Sequence, residues 1–199
     1  MPRAPIALRT GDRSHAKRLH ALITANLQEG HLLPRTLGDL VTHAERFTIA
    51  VRGRRIVGCA DLAALSPSVA EVRSLVVDAS VRGSGVGTQI VDELRRRARR
   101  EGFEKLCAFT HAPGYFIQMG FSIVPHTWIL EKVFTDCLKC PLFRRCGQYA
   151  MVVPLDAAYD DARGRPLQAA DDDSRDNRAD RTDEGSSAPA PIAPAARYA

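Results

Sequence analysis

The chain has no apolar run approaching the roughly 18–20 residues that a membrane-spanning helix needs. Its opening stretch, MPRAPIALRTGDRS, lacks the apolar segment of a secretory leader. A cytoplasmic location is therefore the expectation, and its five cysteines should be thiols, metal ligands or core residues rather than disulfides. There is no internal repeat. No aromatic–basic stripe or docking-helix motif appears, which argues against nucleic acid as a partner. Large apolar residues almost vanish after position 160, where DDDSRDNRADRTDEGSSAPAPIAPAA is charged and then Ser/Ala/Pro-rich. Such a segment buries too little surface to offset its ordering entropy, so residues 157–199 read as a disordered tail behind a domain at 1–156.

What is present fits one ordinary domain. Hydrophobic residues at 45% and charged residues at 26% can supply a core and a soluble surface. The net charge is +5 overall, but the residues from Asp160 onward carry −3, leaving +8 on the body. A basic body suits an anionic ligand, without choosing among nucleic acid, a phosphorylated cofactor and an acidic metabolite.

Strand and helix patterns alternate along that body. Ile6–Arg9 predicts a short strand. In GDRSHAKRLHALITANLQEG, Ala16, Leu19, Leu22, Ile23 and Leu27 recur at helical spacing, with Ser14 as cap and Gly30 as stop. A second helix is expected over Leu37–Ala44. Phe47–Arg52 and Ile56–Ala64 flank Gly53 as a hairpin. Glu71–Val77 is a strand, Val86–Ala98 an amphipathic helix, and Lys105–Phe109 another strand. Gly114–Met119 predicts a short helix, and Phe121–Val124 and Tyr149–Val153 predict late strands. This order implies an α+β or three-layer fold around a mostly antiparallel sheet.

The most informative stretch is VDASVRGSGVGTQI, Val77–Ile90. A strand, a glycine-rich turn and a helix N-terminus together present bare amides and the positive end of a helix dipole. A phosphate is the natural guest. Glycines at 83, 85 and 87 permit unusual backbone angles and close approach, and Arg82 adds a charged donor. No Gly-Lys-Ser/Thr follows, so this is not a nucleotide-triphosphatase loop.

Val77-x4-Arg82-Gly83-x-Gly85-x-Gly87 resembles the pyrophosphate-binding signature of the GNAT superfamily of acetyl-CoA-dependent N-acyltransferases. Tyr115-Phe116-Ile117-Gln118-Met119-Gly120-Phe121 resembles that superfamily's Phe-Tyr-x-x-x-Gly-Phe element. The resemblance implies a three-layer α/β/α fold with a mixed, mostly antiparallel sheet and splayed central strands. It implies that the amides of Arg82, Gly83, Ser84, Gly85, Val86, Gly87 and Thr88 hold the coenzyme A pyrophosphate. It implies too that the main chain of Leu75, Val76 and Val77 pairs with the pantetheine arm, an open edge that would account for a strand apolar on both faces. The run Arg95–Arg100 reads as a solvated helix face favoured by the C-terminal dipole, the alternative being contact with the coenzyme's 3′-phosphate.

Three further stretches narrow the acceptor. Gly30–Thr36 resembles the Leu-Pro-Arg-Ser segment of N-acetylglutamate synthase acetyltransferase domains, Glu71–Leu75 their Glu-Ile-Arg strand, and Asp136–Pro141 with Cys146 a late segment of the short bacterial forms. These imply acetyl-CoA and L-glutamate as small-molecule partners, a product for arginine biosynthesis, and compatibility with a homodimer. Glutamate carries two carboxylates, which arginines grip well. Arg35 and Arg73 are the substrate-binding residues expected. Glu71 is the expected base, its rival reading being an exposed strand-edge carboxylate, and His111 a second base. The superfamily's general-acid tyrosine falls at Phe116, so Tyr115, one residue away and expected to point elsewhere, is the nearest hydroxyl. Cys137, Cys140 and Cys146 have metal-like spacing, for a structural zinc or iron–sulfur centre, or else they pack or oxidise. Cys59 and Cys107 read as core residues.

Overall fold

Alternating apolar residues and tight reversals build the first half of the sheet. Strand β1 (Ile6–Thr10) runs antiparallel to β2 (Phe47–Arg52), with Leu8 opposite Ala50. Gly53, at φ 60°, supplies the left-handed turn that returns the chain into β3 (Arg55–Ala64), completing the expected hairpin. β3 pairs antiparallel with β4 (Val69–Val77), and β4 pairs in parallel with β5 (Lys105–Thr110). Among the described residues the seven-stranded order is β1-β2-β3-β4-β5-β7-β6, where β6 is Ser122–Val124 and β7 is Tyr149–Pro154. The computed structural model describes residues 5–27 and 32–156. The expected helix stop at Gly30, His31 and the tail at 157–199 lie outside them.

Helices cover both faces of the sheet, as the three-layer expectation required. Helix α1 (Ala16–Ala25) and α2 (Leu37–His43) pack Leu19, Ile23 and Leu40 against Phe47, Ile49, Cys59 and Val76. On the opposite face α3 (Val86–Arg100) sets Val86, Ile90, Val91 and Leu94 on Ala60, Leu62, Val72 and Leu106. Phe116, in the short helix α4 (Pro113–Gln118), and Phe121, just after it, join that core edge-to-face, with ring centroids 5.1 Å apart. Each fully buried aliphatic side chain contributes about 1.5–3 kcal/mol. The start of α1 differs from expectation. Asp12, not Ser14, is the cap: its carboxylate accepts from the Ser14 amide at 2.8 Å, and His15 reaches back to the Asp12 amide at 3.2 Å. In Asp-Arg-Ser-His either residue can cap, and the first helical turn is a tighter 3-10 turn that selects the earlier one.

Two irregularities prepare the site. Pairing between β4 and β5 ends at Val72–Ala108, so the β5-facing edge of residues 73–77 has no strand neighbour. On the other side the register jumps: Asp61 faces Arg73 and Cys59 faces Val76. Ser74 and Leu75 therefore share one partner, Ala60, in a β-bulge, and Ser74 sits at φ 50°. The strand's two apolar faces have a different cause from the expected one. Leu75 and Val77 pack toward α3 while Val76 packs toward α1, because helices cover both sides.

The segment between β6 and β7 was not legible as helix. It holds α5 (Leu130–Thr135) and 3-10 turns at Cys137–Lys139 and Phe143–Arg145, and from 125 to 149 only Ile129 is buried.

Candidate functional site

The glycine turn forms as a bare helix mouth. Gly83 and Gly85 take φ of 76° and 80°, a region that side chains with a Cβ enter only with strain. Gly85 is the N-cap of α3 and offers no side chain to the helix amides. The Gln89 amide donates to Gly85 O at 3.0 Å, so the amides of Val86, Gly87 and Thr88 precede the first helical bond. The amides of Arg82 and Ser84 already have acceptors, Ala79 O at 3.4 Å and Val81 O at 3.3 Å. Arg82 does not aim its guanidinium into the turn. It donates to Val77 O at 3.0 Å and to Asn26 Oδ1 at 2.7 Å, tying the turn to the ends of β4 and α1. Beside this mouth lies the open edge of Leu75, Val76 and Val77.

Gly87 needs its missing Cβ for another reason. It is helical, and a Cβ there would lie 2.9 Å from the Tyr115 hydroxyl. Tyr115 therefore does not point away, as its offset position suggested, but closes on the first turn of α3. Phe116 is the residue turned into the core. Burial raises the Tyr115 pKa above its ordinary value, the Thr88 hydroxyl opposing and the Asp92 carboxylate adding to it. The hydroxyl is thus protonated at neutral pH.

The opposite face of β4 carries a network of charges. Glu71 is buried rather than exposed, which overturns the strand-edge alternative. Arg73 Nε donates to Glu71 Oε2 at 2.5 Å, and Lys132 Nζ, on α5, stands 2.8 Å from Oε1 and 2.9 Å from Oε2. Arg73 also donates to Asp136 Oδ2, which takes a second bond from Lys132 Nζ at 2.9 Å. Burial alone would push the Asp136 carboxyl up, but Lys132 and then Arg73 hold it below the usual range.

Arg35 reaches the same stretch of β4 from the loop before α2. It donates to Asp39 Oδ2 at 2.5 Å, to Asp61 Oδ2 at 3.1 Å and to Ser74 Oγ at 3.3 Å. Asp61 is fully buried on β3, with Arg46 Nε 3.2 Å from its other oxygen, although Arg46 directs its hydrogen bond to Leu62 O. Arg35, Arg73 and Glu71 are therefore brought to one face. Lys132, Asp136 and Asp61 are additions the sequence reading missed. Asp61 had left a signal, since a carboxylate inside the apolar run IVGCADLAA requires a buried cation.

Other expected residues stand apart. His111 lies beside Gly147 in the late segment, its ring 3.5 Å from the position of a Gly147 Cβ. Four arginines of α3 are already engaged: Arg96 and Arg100 with Glu93, Arg97 with Glu101, and Arg99 with Leu155 O beyond the helix. Cys137 and Cys140 are half-buried and Cys146 is exposed. Among the described residues no group of three or more His, Cys, Asp or Glu side chains is arranged to hold a metal ion, so the three thiols as placed do not fit a zinc or iron–sulfur centre. Cys59 and Cys107 are core residues, and burial pushes the Cys59 thiol up to about 12. No helix among the described residues is long and apolar enough to cross a membrane.

Residues 17–121 match the acetyltransferase (GNAT) family. An uncharacterized N-acetyltransferase of Chlorobaculum tepidum is 27% identical over 155 residues, covering 78% of this chain and all of that one. An amino-acid acetyltransferase of Mycobacterium tuberculosis is 29% identical over 111 residues, 54% of this chain and 64% of the relative. The fold superposes with a TM-score of 0.69 and 22% identity on N-acetylglutamate synthase of Neisseria gonorrhoeae, solved with coenzyme A and N-acetyl-glutamate. That match covers 78% of this chain and 36% of the other, so the chain spans about a third of that enzyme's length.

Proposed function

The chain belongs to the acetyltransferase (GNAT) family, and on that premise we propose that it transfers the acetyl group of acetyl-CoA to the α-amine of L-glutamate. The product, N-acetylglutamate, would serve arginine biosynthesis. The observation that carries the reading is the juxtaposition across β4. On one side of the strand lies an uncapped helix mouth with free amides for a diphosphate. On the other lie Arg35 and Arg73, flanking Ser74, as two guanidinium groups for two carboxylates. The similarity to an amino-acid acetyltransferase and to a fold solved with N-acetyl-glutamate supports the choice of acceptor.

In this reading the amides of Val86, Gly87 and Thr88 grip the pyrophosphate, and the open edge of Leu75–Val77 takes the pantetheine arm as an added strand. The thioester then lies at the splay between β4 and β5. The neutral α-amine attacks its carbonyl carbon, the tetrahedral intermediate expels the thiolate, and the amine loses a proton. Tyr115, protonated at neutral pH beside Gly87, is the proton donor in this reading, and passing that proton from the diphosphate end of the arm to the departing sulfur requires a water relay. Glu71 faces the acceptor side with both oxygens held by Arg73 and Lys132. Taking the amine proton, directly or through water, requires it to release one of them. Positioning the two reactants supplies much of the rate.

Incubating the purified chain with acetyl-CoA and a panel of amino acids, and following free thiol, tests this directly. Glutamate-dependent release supports the reading. Release only with other amines moves the acceptor to another amino acid or small amine. Tight acetyl-CoA binding without turnover by any amine leaves a non-catalytic binding module.

A further inference from the structure

We propose that Lys132 and Arg73 form a carboxylate-binding subsite for the acceptor, and that Asp136 is its resident occupant, displaced when the acceptor binds. The inference rests on the reading of the chain as an acetyltransferase for a carboxylate-bearing amine.

Two cations here share two carboxylates, and the two carboxylates are not equivalent. Glu71 lies on β4, its side chain 3% exposed, with both oxygens bound to Lys132 and one also to Arg73. Asp136 has a side chain 39% exposed and offers a single oxygen, Oδ2, to both cations. Glu71 is the permanent counter-ion and Asp136 the exchangeable one. Asp136 also sits on a lightly held segment, since only Ile129 is buried between residues 125 and 149. Lys132 is itself steadied by the Phe109 ring, 5.3 Å from Nζ, where β5 continues past its last pairing with β4. The subsite thus borders the splay that the thioester would enter.

Charge fixes the order of events. With Glu71 and Asp136 in place the four-residue group is neutral, and a third carboxylate would meet repulsion. Exchanging Asp136 for an acceptor carboxylate keeps the balance and reproduces the hydrogen bonds of Oδ2. Asp136 is in this sense an internal competitor, lowering apparent acceptor affinity by the fraction of molecules in which it occupies the pair.

The test is acceptor affinity in Asp136→Asn and Asp136→Ser, set against Lys132→Met, with coenzyme A affinity measured in each as the control for folding. Binding of L-glutamate, and of glutarate as a dicarboxylate that cannot be acetylated, is read by calorimetry on coenzyme A-saturated protein. The expected result is roughly fivefold or tighter binding of both in either Asp136 variant and a comparable loss in Lys132→Met. Unchanged or weaker dicarboxylate binding in both Asp136 variants, with coenzyme A affinity intact, overturns the inference even if the wild-type chain acetylates glutamate. Conversely, tighter glutarate binding in the variants of a chain that does not acetylate glutamate upholds the subsite and removes only the choice of acceptor.

Discussion

Alanine at position 87 should be harmful only because of Tyr115. Gly87 lies in helical backbone, where Gly→Ala ordinarily gains roughly 0.5–1 kcal/mol. A Cβ at this position, however, would lie 2.9 Å from the Tyr115 hydroxyl, a contact that forces the ring or the helix to shift. Overpacking of this kind costs about 1–3 kcal/mol, so Gly87→Ala should lower stability by about 1 kcal/mol net. Removing the hydroxyl removes the conflict. In Tyr115→Phe the next atoms are Val77 Cγ2 at 3.5 Å and the ring Cζ at 3.6 Å, both ordinary contacts. There the same substitution should stabilise by roughly 0.5–1 kcal/mol. The double-mutant cycle should thus show coupling of about 1.5–2 kcal/mol, well above the ~0.3–0.5 kcal/mol scatter of independent sites. Urea unfolding at constant slope measures it, since only the midpoint should move. Equal effects of Gly87→Ala in the two backgrounds would refute the placement of Tyr115 at the mouth of α3.

Three further outcomes are expected. Asp61→Ala strands Arg35 and Arg46 beside a buried gap and should cost about 3–5 kcal/mol, lowering Tm by roughly 10 °C in a thermal melt; a shift under about 2 °C on that scale contradicts the buried network. Asp39 and Asp136 are pushed up by burial but held below their ordinary range by Arg35 and His43 and by Lys132 and Arg73, respectively, so their stabilisation is complete above about pH 4 and lost as pH falls through their lowered folded-state values. Unfolding free energy should accordingly decline below about pH 4, and less steeply in Asp39→Asn. A chromogenic thiol reagent at about pH 8 should modify Cys146 first and then Cys137 and Cys140, leaving Cys59 and Cys107 until denaturant is added, because burial keeps those two as neutral thiols; prompt reaction of all five would contradict the packing of β3 and β5.

The fold was legible wherever one segment set its own period. Phe47–Arg52 was read to the residue and Val86–Arg100 by its apolar face, because each turn or pleat repeats the same demand for burial. The glycine turn was legible for a similar reason, since its strained angles exclude most residues at Gly83 and Gly85. The charge network was not. Lys132 meets Glu71 across 61 positions and Asp136 meets Arg73 across 63, and no local pattern marks either pairing. Helix α5 escaped notice because it buries none of its own residues and so lacks the stripe that betrays a helix. Helical spacing alone does not place Tyr115: an offset of about 100° decides which way a side chain starts, not where a long ring ends.

The doubled position at Ser74 and Leu75 has a bearing on how this chain tolerates change. Before it, Val72 belongs with the α3 layer; after it, Leu75 and Val77 do, while Val76 has crossed to join the α1 layer. Odd and even numbers trade sides at that point. Excising one residue there would leave every recognisable motif intact, yet it would swing either Glu71 and Arg73 or Leu75 and Val77 through the sheet, so this strand's length matters as much as its side chains do.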